Sequence, residues 1–421
     1  MRNRPLTRNR KAKAVAWLAV ALGAASCGSG ESTGSTTEDI TKDSQGQTIH
    51  YASYIGQEPG HAHALQSILS VYQSRHPEDR VTYTEINPAT VPADIAGLIA
   101  AGTPPDVFEM PAPLIPFFLA ANGPSSLHPL NDFLASPSQA DIGLNLYPEF
   151  VANTTINGQI YGLPSAVVCT NVVYYNKRVF ADNHLNPPTT IAEFRTVCDK
   201  LKAAGVNPIG LFGASFLLQD LMAAVMGIDA YHSYMTGGEP DERLLRNAID
   251  LFEEVVDNYV DPSALQAMLV SPMDQVTAFM AGRNAMYFSA DWTSQTLEEL
   301  GWTSGIDFGI AFAPENEGLF GYSLQALSIL ATTPNLQGAL NFLDSVLSLE
   351  TQSQLPMTHP RMDVDTSVFN SEKRAIMQGL IQAKHRVPIN LALRWEAPIF
   401  AFVQSTPHNK EALLQVLLST R

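Results

Sequence analysis

Residues 157–176, Asn-Gly-Gln-Ile-Tyr-Gly-Leu-Pro-Ser-Ala-Val-Val-Cys-Thr-Asn-Val-Val-Tyr-Tyr-Asn, constrain the fold more than any other stretch of this chain. Asn157-Gly158 is a two-residue hairpin signal, because both residues tolerate positive φ at low cost. Gln159 to Leu163 then reads as a short strand that stops at Pro164. Ser165 to Tyr175 is a longer β-branched and aromatic run with no helical period, the mark of a buried strand. A hairpin feeding a strand past a proline is how a chain leaves one lobe and enters another, so two lobes are expected.

The flanking segments give the class. Thr48 to Tyr54 alternates like a strand, His61 to Tyr72 has helical spacing, and Arg80 to Ile86 alternates again. Val91 to Ala101 is an apolar helix stopped by Gly102, and the buried strand around Val107 and Phe108 comes at once after it. Strand–helix–strand–helix–strand is the rhythm of a parallel α/β sheet. Further on, Thr190 and Glu193 form a capping-box pattern ahead of Phe194, Val197, Cys198 and Leu201. Pro208 to Leu211 is a short strand, and Asp241 to Tyr259 an amphipathic helix. Met273 to Gly282 is a helix before the strand Ala285 to Ser289.

Charge narrows the partners. The whole chain of 421 residues carries −16, but residues 1–26 hold six Lys/Arg and no acid. Without them 19 basic residues face 41 acidic ones, a charge of −22. Such a surface excludes nucleic acid and anionic lipid as electrostatic partners and suits neutral or cationic ligands. Residues 1–26 read as an export signal: a basic start, then the apolar run Ala14 to Ala25, too short to span a bilayer. Ala24-Ala25-Ser26-Cys27-Gly28 is a lipobox-like end with Ala24 in the place usually held by Leu, which makes Cys27 the lipidation site. Residues 27–46 form a Gly/Ser/Thr-rich tether. Cys169 and Cys198 either pair or remain two buried thiols.

Four stretches in order carry a resemblance. Gly158-Gln-Ile-Tyr-Gly-Leu-Pro164 with Tyr175-Asn176-Lys177, Ala101-Gly-Thr-Pro-Pro-Asp-Val-Phe108, Gly282 to Trp292, and Gly305 to Pro314 resemble bacterial extracellular solute-binding proteins of the sugar-binding, maltose-binding-like type. Residues 334–355 resemble that family's next helix pair, while Ile191 stands where relatives have Trp. The resemblance implies a two-lobed periplasmic-binding-protein-like fold (type II), with crossovers near 163–168, 312–316 and 350. The lobes would be 47–163 plus 316–349 and 164–315 plus 350–421. It also implies a monomeric, lipid-anchored receptor outside the cytoplasm that hands a sugar or oligosaccharide to the permease of an ATP-driven importer, with no cofactor, metal or catalysis. A polyamine-binding protein of the same fold, and a polysaccharide-active lipoprotein enzyme, are the rivals. The one Gly-x-Ser-x-Gly match, Gly30 to Gly34, lies in the Gly/Ser/Thr-rich tether, and no His-Glu-x-x-His, phosphate-cradling glycine loop or Cys-x-x-Cys occurs, which weighs against the enzyme.

Ligands of open α/β sheets bind beyond the carboxyl ends of strands. That rule nominates Tyr54, Glu58 and Glu109, Thr170 and Asn171 past the crossover, and Asp291 with Trp292. The resemblance adds Phe216, Tyr322, Arg394 and Trp395. Aromatic rings stack on the apolar faces of a pyranose, and carboxylates take its hydroxyls. His61 and His63 point apart on a helix, and Glu253-Glu254 and Glu298-Glu299 read as solvated helix faces.

Overall fold

The computed structural model describes residues 46–55, 62–87, 90–260, 272–389 and 395–419. Its strands in chain order are β1 (Thr48–Ser53), β2 (Arg80–Glu85), β3 (Val107–Pro111), β4 (Thr155–Ile156), β5 (Gln159–Ile160) and β6 (Leu163–Cys169). They continue with β7 (Val172–Asn176), β8 (Asn207–Leu211), β9 (Asn284–Ser289), β10 (Phe308–Phe312), β11 (Leu319–Ile329) and β12 (His385–Pro388).

Two sheets organise all of these strands except β4 and β5, which pair only with each other. In the first, β1 pairs in parallel with β2 and β3, and the long β11 lies antiparallel to β3 and β6 and parallel to β12. In the second the order is β10-β7-β9-β8, with β8 parallel to β9 and β7 antiparallel to both its neighbours. Each sheet is covered by its own helices. Helices Ala62–Arg75 and Leu336–Leu347 lie on the first, where the Tyr51 and Phe342 rings meet at 4.8 Å. Helix Glu242–Tyr259 buries Leu245, Phe252, Val255 and Tyr259 beside the second. Each such burial is worth about 1.5–3 kcal/mol, enough to hold each layer in place.

The Asn157-Gly158 turn forms as its residues require, with φ of 50° and 79°, and joins β4 to β5. Beyond it the structure corrects the sequence reading. The strand does not stop at Pro164; β6 starts at Leu163 and runs through it. Ala326 faces Pro164 and Gln325 faces Ala166, so Ser165 is an extra residue bulged out of the ladder. The bulge accommodates a residue with no N–H to donate. Nor is Ser165 to Tyr175 one strand: β6 belongs to the first sheet and β7 to the second. The chain therefore changes sheets at Thr170-Asn171, later than 163–168.

It changes back between β10 and β11, and the two passages touch. Thr170 N–H donates to Gly321 O (2.9 Å) and Ala313 N–H to Asn171 O (3.1 Å). The Asn171 side chain accepts from Gly321 N–H (3.0 Å) and donates to Leu319 O (3.0 Å). The third passage comes after 350. Gln352 still donates to Ser165 O (3.1 Å) in the first layer, Thr358 reaches Asp291 (2.5 Å) just past β9, and Asn370 reaches Glu298 (2.8 Å).

Smaller corrections come from local hydrogen bonds. Thr190 Oγ1 accepts from Glu193 N–H (3.2 Å), but the Glu193 carboxylate returns to the N–H of Thr189 (2.8 Å) rather than of Thr190. Cys169 and Cys198 are both buried free thiols. Among the described residues no helix is long and apolar enough to cross a membrane.

Candidate ligand-binding site

The parallel strands β8 and β9 end side by side, and the segments leaving those two ends make the site. After β8 come Phe212 and Gly213, then helix Ala214–Met226, with Phe216 in its first turn. After β9 come Ala290, Asp291 and Trp292, then helix Thr293–Glu299. Phe212 N–H donates to Phe288 O (2.9 Å), extending the pairing to the last residue before the rings converge. The Phe212 and Phe216 rings stack at 5.8 Å, and Trp292 meets them edge-on at 4.8 and 6.4 Å. All three are half-buried, so part of each ring still faces solvent.

This aromatic cluster stands between two cavities. The first, about 390 Å³, is lined by Phe212, Phe216, Phe400, Ser215 and Glu396. Ser215 Oγ donates to the Glu396 carboxylate, whose pKa burial pushes up. The second, about 300 Å³, is lined by Trp292 and Asp291 together with Glu298, Thr358, Phe369 and Lys373.

Rigid contacts hold the Trp292 loop. The Tyr174 hydroxyl lies 3.1 Å from both Ala290 O and Asp291 O and 3.0 Å from Ser294 Oγ. Asp291 N–H donates to Cys169 O (3.0 Å), the end of β6. The Asp291 carboxylate accepts from Thr358 Oγ1 (2.5 Å), and Thr358 O accepts from Val167 N–H (2.9 Å). Asp291 thus ties the ring-bearing loop to two of the passages between sheets. A platform fixed this way loses little entropy when a ligand lands on it.

Burial raises the Asp291 pKa to about 6, against the Thr358 hydrogen bond that lowers it. Its folded pKa is above its unfolded one, so its contribution is fully present below about pH 4 and lost as pH rises through about 6. Asp291→Asn keeps an acceptor for Thr358 and is expected to stabilise the fold at pH 7 by about 1–2 kcal/mol, with the gain vanishing below about pH 4. Denaturant melts at pH 3.5, 5 and 7 check this.

Other residues singled out in the sequence lie elsewhere. Glu109 is buried between Ser53 Oγ (2.5 Å) and Ser165 Oγ (2.8 Å); burial raises its pKa and the two serines oppose that. Tyr54 is buried with its hydroxyl on Gln325. Thr170 and Asn171 are buried in the crossover contacts above. Tyr322 is a core residue, edge-on to Phe150 at 4.9 Å and accepting from Asn153 (2.7 Å). Trp395 is fully buried and stacked on Tyr234 at 6.2 Å. Neither Tyr322 nor Trp395 has a face open to a cleft. Cys27, Glu58, Arg394 and His61 lie outside the described residues, and His63 is exposed on its helix.

The site also holds residues that sequence reasoning passed over. Phe212 comes directly after the Pro208–Leu211 strand, and the strand-end rule that picked Trp292 would have picked it too. Glu298, expected on a solvated face, is exposed but lines the second cavity and accepts from Asn370. Glu396, Phe400, Thr358 and Lys373 carried no signal, because they arrive from distant segments.

The family profile of bacterial extracellular solute-binding proteins matches residues 56–353. An uncharacterized ABC transporter extracellular-binding protein of Pyrococcus horikoshii is 22% identical over 393 residues, covering 89% of this chain and 85% of that protein. Among solved structures, a chitin oligosaccharide binding protein aligns with a TM-score of 0.71 at 21% identity, over 89% of this chain and 98% of its own. The bacterial solute receptor AcbH, described as preferring β-D-galactopyranose, gives 0.73 at 16% identity over 89% and 97%. Maltose-bound MalE3 of T. maritima gives 0.66 at 15% identity over 88% and 98%. The fold is the two-lobed type II architecture of such receptors, and this chain belongs to the bacterial extracellular solute-binding protein family.

Proposed function

We propose that this protein captures a sugar or oligosaccharide outside the cytoplasm and delivers it to the permease of an ATP-driven importer, without chemical change to the ligand. The observation that carries the reading is the half-buried wall of Phe212, Phe216 and Trp292 at the carboxyl ends of β8 and β9, with carboxylates beside it. Rings of this kind cover the apolar faces of a pyranose while Glu396 and Glu298 accept its hydroxyls. The sugar ligands named for the structural neighbours and the transporter named for the Pyrococcus relative support it. The lobes divide at the changes of sheet, 170–171 and 313–318, and close on the ligand about those passages.

A second reading is favoured by one feature. Glu396 sits among phenylalanine rings with no basic side chain among the described residues that line its cavity. A cationic solute such as a polyamine fits that chemistry. A thermal-shift screen of mono- and oligosaccharides beside polyamines decides between them, with each stabilising solute recovered and analysed by mass spectrometry. Sugars are expected to raise Tm and to be recovered intact. Stabilisation by polyamines alone would establish the cationic reading, and a cleaved sugar would establish an enzyme.

The same reading includes a lipid anchor on Cys27 and a monomeric receptor body. Cys27→Ala is expected to move the protein from the membrane fraction to the soluble one. Unchanged membrane retention of that variant would contradict the anchor.

A further inference from the structure

The second cavity is chemically unlike the first, and the difference bears on which sugar is bound. One wall is apolar: Leu355 and Ile376 are buried there, and Met357 and Phe369 flank them. Into this wall reaches the Lys373 amine. It donates to Leu355 O (2.7 Å) and lies 3.8 Å from the centre of the Phe369 ring. Among the described residues it forms no ion pair; burial lowers its pKa to about 7, and one N–H is spent on the Leu355 carbonyl. A further N–H donor is left for the cavity in either protonation state. The same lining offers acceptors, the carboxylates of Asp291 and Glu298, and includes the Trp292 indole.

We propose that this cavity is a subsite for the acetamido group of an N-acetylated amino sugar; the proposal rests on the sugar-binding reading of the site. An acetamido group needs a donor for its carbonyl oxygen, an acceptor for its N–H and an apolar surface for its methyl. Lys373, the Glu298 carboxylate and the Leu355–Ile376 wall supply these in a volume of about 300 Å³. Other common substituents fit worse. A hydroxyl leaves the apolar wall without a partner. A protonated amino group brings no methyl to the apolar wall and meets the Lys373 amine, whose pKa burial lowers to about 7, and a uronic carboxylate meets Asp291 and Glu298.

Calorimetric titration of the mature chain at pH 7 tests this with three oligosaccharide sets of equal length: N-acetylglucosamine, glucosamine and glucose oligomers. The acetylated set is expected to bind roughly tenfold or more tighter than either of the others, since a site built around hydrogen-bonding partners rejects analogues that lack them. Lys373→Met and Glu298→Ala are each expected to shrink that preference to about threefold or less. Glu298 is exposed, so its variant reports on the site even if Lys373→Met folds poorly. Glucose oligomers binding as tightly as acetylated ones, or a preference untouched by both variants, would overturn the subsite while leaving sugar binding in place. Absence of binding to every oligosaccharide would overturn the sugar reading itself.

Discussion

Replacing Trp292 by alanine is expected to weaken sugar binding by about 1–3 kcal/mol, an order of magnitude or more in affinity. The indole lines the second cavity and touches the Phe212 and Phe216 rings that line the first; its loop is pinned by Tyr174 and Asp291, and part of its surface is still exposed. Removing it deletes the platform without opening a closed core, so the stability cost should stay below about 2 kcal/mol. Calorimetric titration and denaturant melts on the one variant measure both quantities. Full binding joined to a large stability loss would make Trp292 a packing residue.

Trp395→Ala should behave in the opposite way. This indole has no exposed surface and packs against Tyr234 in the core beside the second sheet. Its loss is expected to cost about 3–5 kcal/mol of stability, with affinity changed by no more than about threefold. Its Nε1–H has no acceptor among the described residues, so Trp395→Phe keeps most of the packing and removes a donor that none of them pairs. That variant should cost about 1.5 kcal/mol or less. Urea melts compared with titrations separate the two outcomes, and a selective loss of affinity in Trp395→Ala would return this residue to the cleft.

These two tryptophans mark how far the sequence can be read. The α/β rhythm, the Asn157-Gly158 turn, helix Glu242–Tyr259 and the strand before Trp292 are local, written in periodicity and turn chemistry, and each forms close to where the pattern put it. The wall beside Trp292 is legible only in part: the strand-end rule reaches Phe212 as well as Trp292, but Phe400 and Glu396 arrive from a distant segment. Tyr322 and Trp395, nominated for the cleft, are buried: aromatic rings serve cores and sugar platforms alike, and no local pattern separates the two. Asp291 looked like a free acceptor beside the platform. Its bond to Thr358, 67 residues away, depends on the third passage lying beside β6, which no local pattern encodes. The Ser165 bulge is of the same kind: Pro164 signalled an interruption, but whether a strand ends or bulges there depends on the register of β11.

The central claim, capture of a sugar by closure of two lobes, is tested most directly by small-angle X-ray scattering of the mature chain with and without a saturating sugar identified in the thermal-shift screen. The first two passages between the sheets are short and hydrogen-bonded to each other, so closure should act as a hinge and reduce the radius of gyration while the mass stays that of a monomer. A reproducible contraction that Trp292→Ala shifts to higher sugar concentration is the predicted result. Superimposable scattering curves with and without a sugar shown by calorimetry to be bound would contradict it.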